Sequence, residues 1–179
     1  LVLRLKRACA HLEQTLFVLG NKLAALAERE KDTVMVARTR AQWAVPTLAG
    51  LKVANWLAPL TRQRRRLTEL KSRLYVVQLG GAAGTLAAMG DSGIAVCEAL
   101  AQELDLLVPV APWHTQRDSL LELGNWLSMT CGALGKLGQD LIVLTQSDVA
   151  EIKLSAGGGS STMPQKSNPV GPEALVTLS

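Results

Sequence analysis

Aromatic residues are scarce: four tryptophans, one tyrosine and one phenylalanine make up 3% of 179 residues. Sheets draw heavily on aromatic and β-branched side chains, so the shortage points to a core of Leu, Ala and Val packed between helices. No segment reads as a convincing strand, and the expected fold class is all-α. Cysteine is limited to Cys9, Cys97 and Cys131, odd in number and widely spaced in apolar helical patterns. That excludes a disulfide framework and a thiolate metal site, and it suits a reducing compartment. The two histidines, His11 and His114, are far apart and no paired carboxylate motif accompanies them, so metal chemistry lacks ligands. His11 lies in a heptad helix and reads as structural. No apolar run reaches the ~18 residues that span a bilayer, and no charged-then-apolar leader precedes a cleavage site. The expectation is a cytoplasmic protein with no membrane partner.

What is present is a 48% hydrophobic chain with a net charge of +4. Much of the positive charge crowds into Arg62, Arg64, Arg65, Arg66, Lys71 and Arg73. Nucleic acid is one reading, but aromatic residues for base stacking are missing there. Glu69 and the interspersed leucines suit the solvated face of an amphipathic helix instead, and no nucleic-acid partner is expected.

Leu5, Cys9, Leu12, Leu16, Leu19, Leu23 and Leu26 alternate steps of four and three, a seam that predicts a long first helix. Residues 31–45 lose that period, predicting a break before a second helix from about Pro46 to Leu79, with Pro59 a kink or boundary. Gly80-Gly81-Ala82-Ala83-Gly84-Thr85 follows without the spacing of a dinucleotide site, and its small residues suggest close helix contact. A further helix is expected from Asp91-Ser92-Gly93 to about Leu107, then an extended Pro-bounded connector. The last long helix is expected over 115–150, where Gly124, Gly132, Gly135 and Gly138 suggest tight helix contacts at a cost of ~1 kcal/mol each.

Chemistry concentrates in Gly157-Gly158-Gly159-Ser160-Ser161-Thr162-Met163-Pro164-Gln165-Lys166-Ser167-Asn168-Pro169. The segment joins a glycine run to two hydroxyls, an ammonium and an amide, which suits a lid that handles a carboxylate and a proton. A Gly/Ser linker ending in a Pro-bounded turn is the plainer alternative. A Ser-His-Asp hydrolase elbow would need glycine where Thr162 stands, and a P-loop would need it at Gln165. A second cluster, Trp113-His114-Thr115-Gln116-Arg117-Asp118, can bind an anion, or else Thr115 or Asp118 caps a helix while Trp113 packs inward.

From Gly159 to Pro169 every fixed position of Gly-Ser-Ser-x-Met-Pro-x-Lys-x-Asn-Pro is present, and this segment resembles the signature loop of the fumarase/aspartase superfamily. Thr39-Arg40-Ala41-Gln42-Trp43-Ala44-Val45-Pro46 resembles a second element of that superfamily, Thr-His-x-Gln-x-Ala-x-Pro, with Arg40 in place of the histidine. The resemblance implies the central helical bundle, ending in a flexible signature loop over 155–169, of a cofactor-independent enzyme. Ser160 would be the catalytic base and Lys166 its electrostatic helper; Thr39, Arg40, Gln42, His114, Arg117, Ser161, Met163 and Asn168 would bind substrate. It further implies a small polycarboxylate substrate and a homotetramer whose subunits share active sites.

Loss of the histidine argues against expelling a poor amine leaving group. A carboxylate, whose conjugate acid has a pKa of ~4, needs no such acid. The segments are most similar to the branch of the superfamily in which a carboxylate adds within its own molecule to a conjugated double bond, a cycloisomerase. Adenylosuccinate- and argininosuccinate-type lyases, or a non-catalytic scaffold, are the alternatives. The chain opens without methionine and lacks the superfamily's Thr-Ser or Ser-Ser element, so N-terminal and C-terminal parts of the family fold are expected to lie outside it.

Overall fold

The computed structural model describes residues 1–155, 157–159 and 161–179. Helices dominate: α1 (Val2–Arg29), α2 (Ala49–Leu74), α3 (Gly93–Leu104), α4 (Asp118–Leu144) and α5 (Val170–Thr177). Two short antiparallel hairpins interrupt them, β1 (Val34–Thr39) with β2 (Gln42–Leu48) and β3 (Gly158–Gly159) with β4 (Ser167–Asn168). The chain divides into two compact units, residues 1–17 with 64–126 and residues 18–63 with 127–179.

In the first unit, the start of α1 lays its seam inward: Cys9 and Leu16 are buried, and Leu5 and Leu12 half-buried. The end of α2 meets it with Leu67, Leu70 and Leu74, all at most 2% exposed. Arg62, at the close of the other unit, and Arg65, Arg66 and Arg73 point to solvent. Arg73 pairs with Glu122, Lys71 with Glu13 at 2.6 Å, and the Arg64 guanidinium lies 4.8 Å from the Phe17 ring centroid. The basic run is thus a helix face, as its spacing suggests. α2 stops at Leu74, short of the expected Leu79, because Tyr75 to Val77 turn extended: Val77 N–H donates to the Leu107 carbonyl at 2.9 Å and Leu107 N–H to the Tyr75 carbonyl at 2.8 Å. The same bridge ends α3 at Leu104 rather than Leu107. Gly80 to Thr85 is a turn, not a helix contact: Gly81 and Gly84 have φ of 66° and 83°, and a Cβ on Gly80 would lie 3.2 Å from Pro112 Cβ. Val77, Cys97 and Ala101 form the buried centre beside it.

In the second unit, residues 34–48 fold as a hairpin where the sequence reading places a break or a turn, and α2 begins at Ala49 instead of near Pro46. Val34, Val36, Val45 and Thr47 carry the β-branched content that favours it. Ala49 N–H donates to the Thr33 carbonyl at 2.8 Å and Gly50 N–H to that of Glu30 at 2.9 Å, closing the hairpin base on the end of α1. Pro59 lies inside α2 without ending it. α4 spans 118–144, narrower than the expected 115–150, because Glu151 and Ile152 N–H groups fold back onto the Leu144 carbonyl at 3.0 and 3.1 Å. Its glycines divide in two. A Cβ on Gly138 would lie 2.7 Å from the Pro172 carbonyl oxygen and one on Gly135 would strike Ser179, so these two admit the α5 end of the chain. Gly124 and Gly132 have nothing within 4 Å of such a Cβ among the described residues, so the expected tight contact is missing there. Among the described residues no helix is long and apolar enough to cross a membrane. His11 is exposed on α1, not packed into its seam.

Candidate active site

The β1–β2 hairpin presents the first group of candidate residues. Thr39 pairs directly with Gln42, and Arg40 and Ala41 make the two-residue turn between them with φ of 52° and 61°. Two successive left-handed residues define the turn whose twist matches a hairpin, a position usually filled by Asn-Gly. Neither Arg nor Ala takes that conformation freely, so the tip is strained, as backbone at functional sites often is. Thr39, Arg40 and Gln42 are exposed, and Trp43 beside them is 82% exposed. The register slips between Val36 and Arg38, a bulge that re-aims the tip.

The signature segment folds as the second hairpin, Gly158 opposite Asn168 and Gly159 opposite Ser167. Lys166 N–H donates to the Met163 carbonyl at 3.0 Å, closing a turn within the tip. Ser161, Met163 and Lys166 are exposed and Asn168 half-buried. Ser160, the expected base, lies outside the described residues. A Cβ on Gly157 would strike the Ser167 hydroxyl, and one on Gly158 would lie 2.6 Å from Val170 Cγ2. A side chain at either position would have to displace the Ser167 or Val170 side chain.

The same unit holds a cleft of about 360 Å³ lined by Arg38, Ala41, Lys52, Asn55, Lys136 and Asp140 among others. Asp140 accepts from Trp56 Nε1 at 2.6 Å and from the Lys136 ammonium, with Lys52 at 3.6 Å. Burial pushes its carboxyl up, but the bonds from Lys136 and Trp56 and the charge of Lys52 outweigh it and hold it below the usual aspartate range. Arg38 donates through both terminal nitrogens to Glu151 at 2.8 and 3.0 Å.

His114 and Arg117 belong to the other unit, where they line a cleft of about 400 Å³ with Val77, Gln78, Leu104 and Trp113 among others. Trp113 anchors that loop: its backbone N–H donates to Gln78 Oε1 at 2.9 Å and its indole N–H to the Val77 carbonyl at 3.0 Å. His114 and Arg117 are left exposed, while Asp118 opens α4, where a carboxylate favours the helix dipole. Trp113 therefore packs inward, as the capping reading expects. Cys9, also in this unit, is buried, and burial raises its thiol above its ordinary value despite the Tyr75 hydroxyl and Lys71, which disfavours the thiolate.

Arg40, Arg117 and Lys166 have no acidic partner among the described residues, so their charge is available to an anion. Sequence reasoning missed Arg38, Glu151, Lys52 and Asp140. The i,i+4 spacing of Lys136 and Asp140 is the one local signal that could have pointed to the cleft; Arg38 and Glu151 are 113 residues apart and leave none.

A protein of Pseudomonas aeruginosa named 3-carboxy-cis,cis-muconate cycloisomerase is 50% identical over 179 residues, which cover 98% of this chain and 39% of that protein. Trans-aconitate decarboxylase 1 of Mycosarcoma maydis is 40% identical over 172 residues, 94% of this chain and 35% of that one. The crystal structure of 3-carboxy-cis,cis-muconate lactonizing enzyme from Pseudomonas putida matches with a TM-score of 0.93 and 47% identity, over 98% of this chain and 40% of that one. The chain thus spans well under half the length of these relatives. The lyase family model matches residues 1–179, so that the whole chain, with its helical bundle and its signature hairpin, belongs to the lyase family of the fumarase/aspartase superfamily.

Proposed function

We propose that this chain serves a cofactor-independent cycloisomerase that converts 3-carboxy-cis,cis-muconate to a carboxymuconolactone in protocatechuate breakdown. The observation that carries the reading is that a protein so named is 50% identical to this chain over 98% of its length. The names of the relatives also agree on substrate class, since carboxymuconate and trans-aconitate are both unsaturated tricarboxylates.

The chemistry follows from the charges. One carboxylate oxygen forms a C–O bond to a carbon of the conjugated diene, and the displaced π pair moves onto the carbon α to another carboxylate. That carbanion takes a proton from the Ser160 hydroxyl, solvent water returns a proton to the resulting alkoxide, and in the reverse direction the alkoxide removes the proton from carbon. Lys166 stabilises the alkoxide and a substrate carboxylate together. Thr39, Gln42, Ser161 and Asn168 bind carboxylates as neutral donors and Met163 contacts the substrate, with Arg40, His114 and Arg117 adding charge toward a trianion. The unpaired cations of the hairpin, the signature loop and the Trp113 loop support this assignment. The protein is cytoplasmic, assembles as a homotetramer with active sites shared between subunits, and carries family parts outside this chain. A decarboxylase of a related tricarboxylate is the second reading, favoured by the 40% identity to trans-aconitate decarboxylase 1.

The test is loss of the diene absorbance of 3-carboxy-cis,cis-muconate with the full-length protein. Ser160→Ala should lower kcat by at least ~100-fold, the lower range for removing a positioned acid or base. Carbon dioxide release from trans-aconitate would select the second reading, and turnover of adenylosuccinate or argininosuccinate would refute the argument from Arg40.

A further inference from the structure

The β1–β2 hairpin is an unpromising platform for substrate ligands. Its tip is strained at Arg40 and Ala41, and Val34, Trp43 and Val45 along it are 70%, 82% and 68% exposed, so little apolar packing fixes it. A two-stranded ribbon with so little buried surface is marginal on its own. Arg38 is placed to compensate. It sits immediately before Thr39, opposite Trp43 and beyond the bulge, where its orientation sets that of the turn.

Its partner is equally well placed. Glu151 is held through its own backbone N–H to the carbonyl of Leu144, a residue 2% exposed at the end of α4, and it shortly precedes Gly157. The pair differs from the other ion pairs described. Its two-pronged side chains are 17% and 21% exposed, whereas the equally two-pronged Arg73 and Glu122 are 52% and 44% exposed and the single side-chain contact of Lys6 and Asp105 joins side chains 32% and 93% exposed. Exposed pairs of that kind contribute little, but a covered bidentate Arg–carboxylate pair fixes orientation as well as distance.

We infer that Arg38 and Glu151 are positioning residues, a clamp that fixes the hairpin bearing Thr39, Arg40 and Gln42 to the segment that leads into the signature loop. The kinetic part of this inference rests on the proposed cycloisomerase reading; the mechanical part does not. Neither side chain is assigned to substrate. Their effect on catalysis runs through the placement of carboxylate ligands, where a shift of about 1 Å can cost ~100-fold.

The experiment uses the full-length protein with Arg38→Lys, Glu151→Gln, the two combined, and the exchange Arg38→Glu with Glu151→Arg. Arg38→Lys keeps the charge and loses the fork; Glu151→Gln keeps the shape and loses the charge. Each single variant should lower kcat/KM on 3-carboxy-cis,cis-muconate by ~10–100-fold, in the range seen when supporting residues are lost. The combined variant should lose no more than the worse single one, because both break one interaction. The exchanged pair should recover at least ~10-fold over the worse single variant, since it restores the pairing. Hydrogen exchange, which needs no substrate, should show amides of residues 38–43 and of 157–168 opening together in Glu151→Gln. Single variants within about twofold of wild type, losses that multiply in the combination, or exchange that rises in one segment alone would each overturn the clamp. If the wild type turns over no muconate, the functional reading falls while the exchange result still decides the mechanical one.

Discussion

Replacing Asp140 by Asn tests the electrostatic centre of the second unit. Asp140 accepts from a tryptophan that is 4% exposed and from Lys136, with the Lys52 ammonium 3.6 Å away and its own side chain 21% exposed. Asparagine keeps an acceptor for the indole but turns a charge-assisted bond into a neutral one, a loss of ~1–1.5 kcal/mol. The Lys136 ammonium is 58% exposed, so solvent screening limits its ion pair to under ~1 kcal/mol. The sum is ~1–2.5 kcal/mol, and for a full-length protein more than twice as long as this chain, like the relatives, each kcal/mol shifts the melting temperature by only ~1–2 °C, giving a fall of ~1–5 °C. The carboxyl is held below its ordinary value in the folded state, so its contribution is present above the unfolded value of ~3.9 and is lost as pH falls through the folded one. Thermal unfolding of the full-length wild type and Asp140→Asn should therefore show the full gap at pH 7, narrowing below about pH 4. A gap as wide at pH 2.5 as at pH 7, or no gap at pH 7, would refute the assignment of a charged Asp140 held by Trp56 and the lysines.

Three further substitutions follow from packing. Gly138→Ala should cost ~1–3 kcal/mol by urea unfolding because its Cβ would meet the Pro172 carbonyl, whereas Gly124→Ala, facing open space among the described residues, should gain ~0.5–1 kcal/mol of helix propensity. Leu67→Ala, at a side chain 0% exposed, should cost ~2–5 kcal/mol in the same assay.

Helices were legible where the seam was strong. The first predicted helix matches α1 because seven apolar positions share one face, and that face meets neighbours whatever the details of packing. The hairpin at 34–48 was not legible. Its turn is Arg-Ala rather than a glycine-bearing pair, and the low aromatic content argued against strands although Trp43 stands in one. The helix ends were misread for a related reason: α4 and α3 stop where a later or earlier segment claims the backbone bonds, at Leu144 by Glu151 and Ile152 and at Leu104 by the Val76–Leu107 bridge. Those competitors lie outside the helices they end and leave no mark on the local period.

The sequence by itself determined the helical class, the family, and the residue types from Gly159 to Pro169 that a carboxylate-binding, proton-handling loop needs. These are properties of pattern and chemical identity, which a linear chain displays in full. The tertiary structure alone decided that Thr39 to Gln42 crown a strained hairpin, that Gly157 and Gly158 lie against the Ser167 and Val170 side chains, and that Arg38 meets Glu151 across 113 residues. Such contacts depend on where the backbone returns after each helix, and no local spacing encodes that return.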